Sequence, residues 1–370
     1  MTHLDAGDAQ RREIGLSVLL GGVGTVLLVA AGWAMIGGAG TGYDLAAYLA
    51  AAGRILDGGT PYQPETLGGP FRPGPAELYL YAPPLAVAMT LLAKVPTATV
   101  TIIWLLLRVA MLALACAVLP VRPWVRGATL LVAAFSYPVL LDLNLGNVSV
   151  VVVALLACGW RWLDRPAGAV AIAAALLVRP TLAVVPIWQA LRRRWRPVIW
   201  TVVTLGFVGL LTLPVVGVGG YLDYLTVLRN VSDVLGVPRN ADLGSVAAGL
   251  GLPPPWPTLT YLAGAAVGIG VILVAARRDR SAGYVATVGA SLLLAPLLWG
   301  HYLVGLLLPA ALLADRGRRW GILLPLLGWL PEPFLPLVAV AGAMLPLLVA
   351  REPGESERET EPPVRLETSV

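Results

Sequence analysis

Residues 14–37 read IGLSVLLGGVGTVLLVAAGWAMIG, a run of 24 residues without a charged side chain. A helix needs about 20 apolar residues to cross the hydrocarbon core of a bilayer, so this run predicts a membrane-spanning helix. The run is too long for the core of a signal peptide, and no small-residue cleavage pattern separates it from a soluble domain. We therefore expect it to be retained as a first transmembrane helix.

Runs of the same kind fill most of the chain. The other long ones cover residues 97–120, 197–216, 258–276, 281–299 and 334–350. Shorter or interrupted ones cover residues 83–95, 128–143, 148–163, 168–178, 181–191, 302–314 and 321–330. Charged residues make up only 13% of the 370, about half the share in soluble domains. The sequence predicts an all-α polytopic membrane protein with about 10–12 transmembrane helices in one domain, residues 1–350, and a disordered cytoplasmic tail, residues 351–370.

Arginine clusters between the apolar runs predict which helix ends face the cytoplasm. The clusters are Arg11-Arg12, Arg122/Arg126, Arg161/Arg165, Arg192-Arg193-Arg194 with Arg196, Arg277-Arg278/Arg280 and Arg316/Arg318-Arg319. Because cytoplasmic loops are rich in basic residues, both termini are expected in the cytoplasm of a plasma-membrane protein. The same rule explains the net charge of +5 without nucleic-acid binding. The outer face then holds residues 41–81, 145–148, 217–257 and 299–302. Parity makes one of the runs 83–95 and 97–120 re-entrant or interfacial, and leaves open which.

Few residues are available for metal or nucleotide chemistry. Cys116 and Cys158 lie inside apolar runs, and the only histidines are His3 and His301, so we expect no disulfide framework, metal site or cofactor. No Walker loop, dinucleotide fingerprint, zincin helix or nucleophile elbow is present. An enzyme built this way would draw on a pre-activated, lipid-linked donor that the membrane delivers.

The first outer loop begins GYDLAAYLAAAGRILDGGTPY at residues 42–62. Tyr48 and Ile55 follow Asp44 at helical spacing, so this stretch predicts an amphipathic interfacial helix that ends at Gly58-Gly59. Asp44 would begin that helix. It is either an N-cap or a carboxylate at the lipid–water boundary, where partial desolvation would suit it to general-base work.

Two arginines lie within apolar runs, where the positive-inside rule does not explain them. Arg179 interrupts the apolar residues 169–191 away from the arginine clusters, so we expect a partner. That partner is either a lipid-linked phosphate or an intramembrane acid, unless the side chain snorkels. Arg108 is a weaker case of the same kind and is expected to snorkel. His301 ends an outer turn and is either a structural hydrogen bonder or a group acting on an anionic leaving group.

Other polar and aromatic side chains of the outer segments are candidates for substrate contact. Asn147 would cap the next helix or touch a sugar hydroxyl. The loop at 217–257 carries polar residues without diagnostic spacing, namely Tyr221, Asp223, Tyr224, Arg239, Asn240 and Asp242. Tyr62, Tyr79, Tyr81 and Trp256 would stack on sugars or form an interfacial aromatic belt, and we favour the belt. The expected substrate contacts are Tyr48, Tyr62, Tyr81, Asn147, Asn240 and Trp299.

Four blocks of residues follow one another in a recognisable order. They are Asp44, Tyr48 and GGTPY (58–62); YAPPL (81–85); Gly146-Asn147 followed by Arg179-Pro180 and RRRWR (192–196); and PLLWGH (296–301). In this order the chain resembles glycosyltransferase family 87, the bacterial membrane mannosyl- and arabinofuranosyltransferases of the GT-C superfamily that use polyprenyl-phosphate sugars. The family commonly has Gly-Gln where this chain has Gly146-Asn147, and a serine-rich block with paired histidines where this chain has residues 295–302.

The resemblance implies a GT-C fold and an inverting transfer to a glycolipid or cell-wall glycan. Asp44 would be the base on the acceptor hydroxyl, with His301 and Arg179 near the donor phosphate. The sugar would be mannose, or otherwise arabinofuranose. A lipid-linked-sugar flippase without chemistry is the alternative, although no internal repeat of the transporter type is evident. A non-catalytic partner of another transferase is the third reading.

Overall fold

Every regular element in the part of the chain that the structure describes is a helix. The computed structural model describes residues 3–71, 78–232, 237 and 239–350. The α-helices are α1 His3–Met35, α2 Tyr43–Leu56, α3 Pro64–Leu67, α4 Pro83–Met89, α5 Thr97–Val118, α6 Pro123–Ala133, α7 Tyr137–Leu145, α8 Ser149–Arg161, α9 Pro166–Val178, α10 Val184–Leu191, α11 Trp195–Ser232, α12 Leu243–Gly249, α13 Trp256–Ala275, α14 Arg280–Leu293, α15 Leu307–Asp315 and α16 Leu335–Leu348. Short 3₁₀ helices cover Pro180–Ala183, Gly300–Leu306, Arg319–Trp329 and Glu332–Phe334.

Long apolar helices confirm the all-α polytopic membrane class. Within the described residues, four helices are long and apolar enough to cross a membrane, or five if the bent pair α6–α7 is one span. The four are Gln10–Met35 of α1, Thr97–Val118, Trp195–Ser232 and Trp256–Ala275. Several shorter apolar helices accompany them, so the count of about 10–12 crossings stays a prediction. The predicted tail at 351–370 lies outside the described residues.

The structure corrects one predicted span and defines two other segments. The run 281–299 yields the 14-residue helix α14, about 21 Å long at 1.5 Å per residue, because the chain leaves the helix before Pro296. At Gly217 (φ 70°, ψ 170°) the backbone leaves helical geometry, so the apolar helix ends where the predicted loop 217–257 begins, and a second helix inside that loop runs on to Ser232. Of the two runs left open by parity, 83–95 contains only the seven residues of α4, whereas 97–120 forms the 22-residue α5. The shorter run is therefore the one that cannot span.

The buried core surrounds α8, α14 and α15. All residues of α14 from Ala282 to Leu293 are buried. Glycines allow close backbone contact at the helix crossings. A Cβ on Gly24 of α1 would lie 2.8 Å from the Leu130 carbonyl oxygen of α6, and one on Gly289 of α14 would lie 2.7 Å from Cα of Ala343 in α16. In contrast, α1 and α11 expose many large apolar side chains, as expected of helices that face lipid.

Arginine clusters that are distant in sequence meet at one end of the bundle. Arg194 and Arg280 both pair with Asp164, and Arg192 donates to the carbonyl oxygen of Arg278 at 2.5 Å. At the same end Arg316 pairs with Asp279 at 2.8 Å, and Arg122 pairs with Asp315 at 3.5 Å. The helix α8 runs from Ser149 to Arg161, and α9 runs back to Val178. Ser149 and Arg179 therefore lie at the end opposite to the arginines.

Candidate functional site

Asp44 lies in the first turn of α2, at the end of the bundle opposite the arginines. The cap position of α2 is Gly42 (φ 72°), which makes no side-chain cap hydrogen bond, so the N-cap interpretation of Asp44 is wrong. Instead, Oδ2 of Asp44 accepts a 2.8 Å hydrogen bond from Nδ2 of Asn147. Burial raises the pKa of Asp44 to about 6, against the lowering effects of the Asn147 hydrogen bond and the Arg108 charge. Such a carboxylate is ionised at neutral pH and still basic enough to take a proton.

The turn between α7 and α8 presses Asn147 against the start of α2. Gly146 adopts φ 76°, and a Cβ on it would lie 2.8 Å from Cβ of Leu45. The N–H of Gly42 donates to the carbonyl oxygen of Asn144 at 2.8 Å, and the indole N–H of Trp104 donates to that of Gly146 at 2.8 Å. Only glycine combines this left-handed backbone with so close an approach. The Gly146-Asn147 pair is therefore what brings the amide to Asp44.

If Asp44 is catalytic, replacing Gly146 with alanine is expected to lower the rate of its reaction about 10²-fold, because an added methyl would push Asn147 away from Asp44. The rate of the Gly146→Ala protein in membranes, normalised to its folded amount, measures this effect. Gly53→Ala is the matched control, since Gly53 lies in the same helix as Asp44 and a Cβ there would contact nothing within 4 Å. Equal rates for both variants would show that the close approach at Gly146 has no role.

Asn147 and Ser149 connect Asp44 to Arg179. Oδ1 of Asn147 accepts hydrogen bonds from the backbone N–H and the hydroxyl of Ser149, both at 2.9 Å. Nη2 of Arg179 donates to Oγ of Ser149 at 2.8 Å. A continuous hydrogen-bonded path thus runs from the guanidinium of Arg179 through Ser149 and Asn147 to the carboxylate of Asp44. Asn147 supports the first turn of α8 in this way, which is one of its two predicted roles, and its contact with a sugar hydroxyl stays a prediction.

Arg179 has no acidic partner in the described part of the chain, where none of the ion pairs includes it. Its guanidinium carbon lies 3.8 Å above the centre of the Tyr302 ring, and Ser149 takes one of its donors. The predicted salt bridge is therefore absent among these residues. A cation that is held by a ring and a hydroxyl retains donors for an external anion.

His301 contacts Tyr302, the same ring over which Arg179 lies. The rings of His301 and Tyr302 meet edge to face with centroids 4.9 Å apart. The side chain of His301 is only 6% exposed, and its Nε2 has no hydrogen-bond partner within the described residues. A buried polar atom without a partner is unusual, and this one lies next to the available cation.

A buried ion pair fixes the end of α7, next to the turn that carries Asn147. Arg108 of α5 pairs with Asp142 of α7 at 3.6 Å and donates to the carbonyl oxygens of Asp142 at 2.6 Å and Leu143 at 3.1 Å. Oδ1 of Asp142 also accepts from the N–H of Ser149 at 2.9 Å. Arg108 is buried, so the expectation that it snorkels is wrong. Sequence reasoning missed Asp142, Ser149 and Tyr302; the opposite charges of Arg108 and Asp142 in two apolar runs were the available signal.

The tyrosines of the first outer loop form a buried cluster. Tyr48 is 0% exposed and meets the rings of Tyr79, Tyr81 and Trp104 edge-on or tilted, at centroid distances between 5.2 and 6.5 Å. The favoured aromatic belt is therefore wrong for the buried Tyr62 and Tyr79, and Tyr48 and Tyr62 are too enclosed to stack on a sugar. Tyr81 is only partly buried. Its hydroxyl accepts from Tyr48 at 3.2 Å and from Asn147 at 3.0 Å, which leaves its own proton to donate.

The comparison with known sequences decides which family this arrangement belongs to. The sequence profile described as glycosyltransferase family 87 matches residues 79–299. The chain belongs to glycosyltransferase family 87. It is thus a membrane glycosyltransferase. The matched residues include Tyr81, Asn147 and Arg179, whereas Asp44 lies 35 residues before the match and His301 lies two residues after it. No curated protein and no solved structure matches the chain.

The two remaining predicted substrate contacts of this glycosyltransferase, Asn240 and Trp299, make packing and backbone contacts near residues 296–299. Asn240 is buried and holds the chain near Leu298, donating to the carbonyl oxygen of Pro296 at 2.8 Å and accepting from the N–H of Leu298 at 2.8 Å. This structural role accounts for its polar groups, so it is not a substrate contact in this arrangement. Trp299 packs against the cluster of Phe71 and Leu297.

The polar outer loop contributes structure as well. Asp242 caps α12 by accepting from the N–H groups of Gly244 and Ser245, and Tyr224 stacks on Tyr62 with centroids 6.3 Å apart. Trp256 is 55% exposed, the one aromatic of the predicted belt that remains on the outside. Within the described residues, no three His, Cys, Asp or Glu side chains converge as a metal site would need, and the lack of a metal stays a prediction.

Proposed function

We propose that the protein transfers a sugar from a polyprenyl-phosphate donor to a hydroxyl of a glycolipid or cell-wall glycan at the outer face of the plasma membrane. The observation that carries the proposal is the path Asp44–Asn147–Ser149–Arg179, which joins a basic carboxylate to a cation that has no acidic partner among the described residues. A transfer from a phosphate donor needs one group of each kind. Asp44 would serve the acceptor, and Arg179 would serve the leaving phosphate.

The reaction is a single displacement at the anomeric carbon. The acceptor oxygen forms the new bond to that carbon as its proton passes to Asp44, whose Oδ2 is already held by Asn147. The bond between the anomeric carbon and the phosphate oxygen breaks, and its electron pair leaves with polyprenyl phosphate. Because the acceptor enters opposite the leaving group, the anomeric configuration inverts, so a β-linked mannosyl phosphate would give an α-linked product.

Charge grows on the leaving phosphate as that bond breaks. The free donors of Arg179 suit this charge, since a guanidinium pairs two phosphate oxygens at once. Nε2 of His301, which lacks a partner within the described residues, would contact the same phosphate. Fixed donors that meet charge developing in the transition state accelerate a reaction more than donors that bind the ground state.

A cavity beside Arg179 supports a lipid-linked donor. It is lined by aliphatic side chains such as Val153, Leu156 and Leu292, with Arg179 and Tyr302 among its few polar lining residues. A donor with an isoprenoid chain would place its phosphate at the cation and the first part of its chain among these aliphatic groups. A sugar nucleotide offers no apolar part for such a cavity.

The sides of the membrane follow from the two ends of the bundle. The arginine clusters gather at one end, and Asp44 with Arg179 lies at the other. Under the positive-inside rule the arginine end faces the cytoplasm, which supports an outer active site and cytoplasmic termini. Mannose is the first candidate for the sugar, and arabinofuranose is the second. A GT-C architecture is part of the same proposal.

Transfer is expected to rise with pH through about 6. Asp44 acts as a base only when ionised, and its pKa is raised to about 6, so kcat/KM should fall as the pH drops below that value. Because the Asn147 hydrogen bond lowers the pKa of Asp44, Asn147→Ala should move this acidic limb to higher pH. Asn147→Gln keeps an amide and should move the limb less. Profiles with the same acidic limb for all three proteins would contradict the assignment of Asp44 as the base.

The proposal is tested with membranes that contain the protein. Radiolabelled polyprenyl-phosphate mannose and polyprenyl-phosphate arabinofuranose are supplied separately, with a crude lipid and cell-wall extract as the acceptor. We expect labelled product from one of the two donors and none from membranes without the protein. Protein-dependent movement of the donor across vesicles without any product would instead establish a flippase.

A further inference from the structure

The arginine end of the bundle contains a cleft about 18 Å from the start of α8, if each of its residues rises 1.5 Å. We name it the arginine cleft, and its polar lining consists of Asp164, Trp188, Gln189, Arg192, Arg194 and Arg280. None of these residues belongs to the site around Asp44.

Two buried side chains in the arginine cleft have polar atoms without a hydrogen-bond partner in the part of the chain that the structure describes. Gln189 is only 2% exposed, yet neither its amide oxygen nor its amide nitrogen makes a hydrogen bond within the described residues. Trp188 is also only 2% exposed, and its indole nitrogen makes no hydrogen bond within the described residues. Buried polar groups are nearly always paired. Adjacent residues with three unpaired atoms in one cleft therefore point to a ligand with both acceptors and a donor.

The arginine cleft carries a net positive charge, which favours an anionic ligand. Asp164 is the one acid among three arginines in the lining, and it already pairs with Arg194 at 3.3 Å and with Arg280. Arg192 donates to the carbonyl oxygens of Ala276 and Arg278, which fixes its cation at the rim. The surplus of positive charge, with N–H donors on Gln189 and Trp188, matches the oxygens of a phosphate group.

The amide oxygen of Gln189 adds a second requirement. It needs a donor, which a fully ionised phosphate lacks but a hydroxyl next to the phosphate supplies. The surroundings favour a lipid as the source. Leu191 and Trp195 flank the arginines in sequence and are largely exposed, and tryptophan beside basic residues is typical of the headgroup level of a bilayer.

We propose that the arginine cleft binds the headgroup of an anionic lipid, a phosphate ester that carries a free hydroxyl. The arginines and the N–H groups of Gln189 and Trp188 hold the phosphate oxygens, and the headgroup hydroxyl donates to the amide oxygen of Gln189. The ligand is bound at the opposite end of the bundle from the transferase site, so this role is independent of the proposed reaction.

Lipid binding to the purified full-length protein tests the proposal. The delipidated protein in detergent is titrated with phosphatidylglycerol, phosphatidylcholine or soluble glycerol 3-phosphate, and bound molecules are counted by native mass spectrometry. We expect a preference for phosphatidylglycerol over phosphatidylcholine, which has a phosphate but no hydroxyl. Gln189→Met has nearly the same shape without an amide, and should weaken phosphatidylglycerol binding about tenfold.

Two further variants keep the test informative. Arg194→Gln changes an exposed side chain and should also weaken binding, even if Gln189→Met does not fold. Arg319→Gln removes an exposed positive charge outside the arginine cleft and should leave binding unchanged. The proposal is overturned if both lipids bind equally, if Gln189→Met and Arg194→Gln bind as the wild type does, or if glycerol 3-phosphate binds while the lipid does not.

Discussion

Asp44→Asn is expected to lower sugar transfer about 10²–10⁴-fold, the usual contribution of a general base. The asparagine keeps the size of the side chain and can still meet Asn147, but it cannot take the proton of the acceptor hydroxyl. The turnover number should therefore fall while the donor still binds. The measurement is transfer of labelled sugar by membranes that contain equal amounts of the wild type and of Asp44→Asn, with donor binding measured on the same preparations.

The matched control is Asp57→Asn. Asp57 ends the same helix that Asp44 begins, and it is exposed at the C-terminal cap. This change removes the same charge from α2 without touching the network of Asn147. Equal transfer by Asp44→Asn and the wild type would rule out Asp44 as the base, and would favour a non-catalytic partner if no other acid replaced it. Equal losses in Asp44→Asn and Asp57→Asn would indicate a general effect of charge.

Arg179→Gln is expected to lower turnover about 10²–10³-fold, as does the loss of one preorganised donor to a developing anion in other enzymes. Glutamine can still hydrogen-bond to Ser149, so the fold around α8 should survive. The positive charge over Tyr302 is lost, and with it the neutralisation of the leaving phosphate. The turnover number should fall more than the affinity for the donor, because the phosphate charge grows in the transition state.

Two further variants serve as controls for this prediction, namely Arg179→Lys and Arg229→Gln. Lysine restores the charge but not the planar fork that binds two oxygens, so Arg179→Lys should recover part of the lost turnover. Arg229 is exposed near the end of α11, and Arg229→Gln should have no effect. If Arg179→Gln raised only the KM for the donor, Arg179 would bind the substrate without stabilising the leaving group.

Residues whose chemistry conflicts with their surroundings were the ones that sequence reasoning could find. Arg179 interrupts an apolar run, and Asp44 begins an amphipathic stretch, so each predicted a site by its own position. Their connection could not be predicted, because it depends on the contact of Gly146 with Leu45, about a hundred positions away in the chain. Ser149 escaped notice since serine at a helix start usually serves as a cap.

Helix lengths were predicted less well than helix class. Apolar composition correctly indicated an all-α membrane protein, but it could not distinguish the spanning α5 from the seven-residue α4 until packing placed both. Aromatic residues misled for a related reason. Tyr62 and Tyr79 suit a bilayer interface by composition, yet the folded chain buries them against Tyr48 and Tyr81. Whether a tyrosine is buried or lies at the interface depends on the residues that it contacts in the folded chain, and the local sequence does not show these contacts.

The pairing of Arg108 with Asp142 bears on how the chain enters the membrane during synthesis. Arg108 lies halfway along α5, where inserting an unpaired charge costs at least about 2.5–3.5 kcal/mol, and Asp142 arrives 34 residues later. Neither helix is well suited to lipid alone, whereas together they neutralise each other. The translocon should therefore retain α5 until α7 has been made and release the two as a unit. The ion pair that supports the candidate site thereby sets the order in which the helices around that site are assembled.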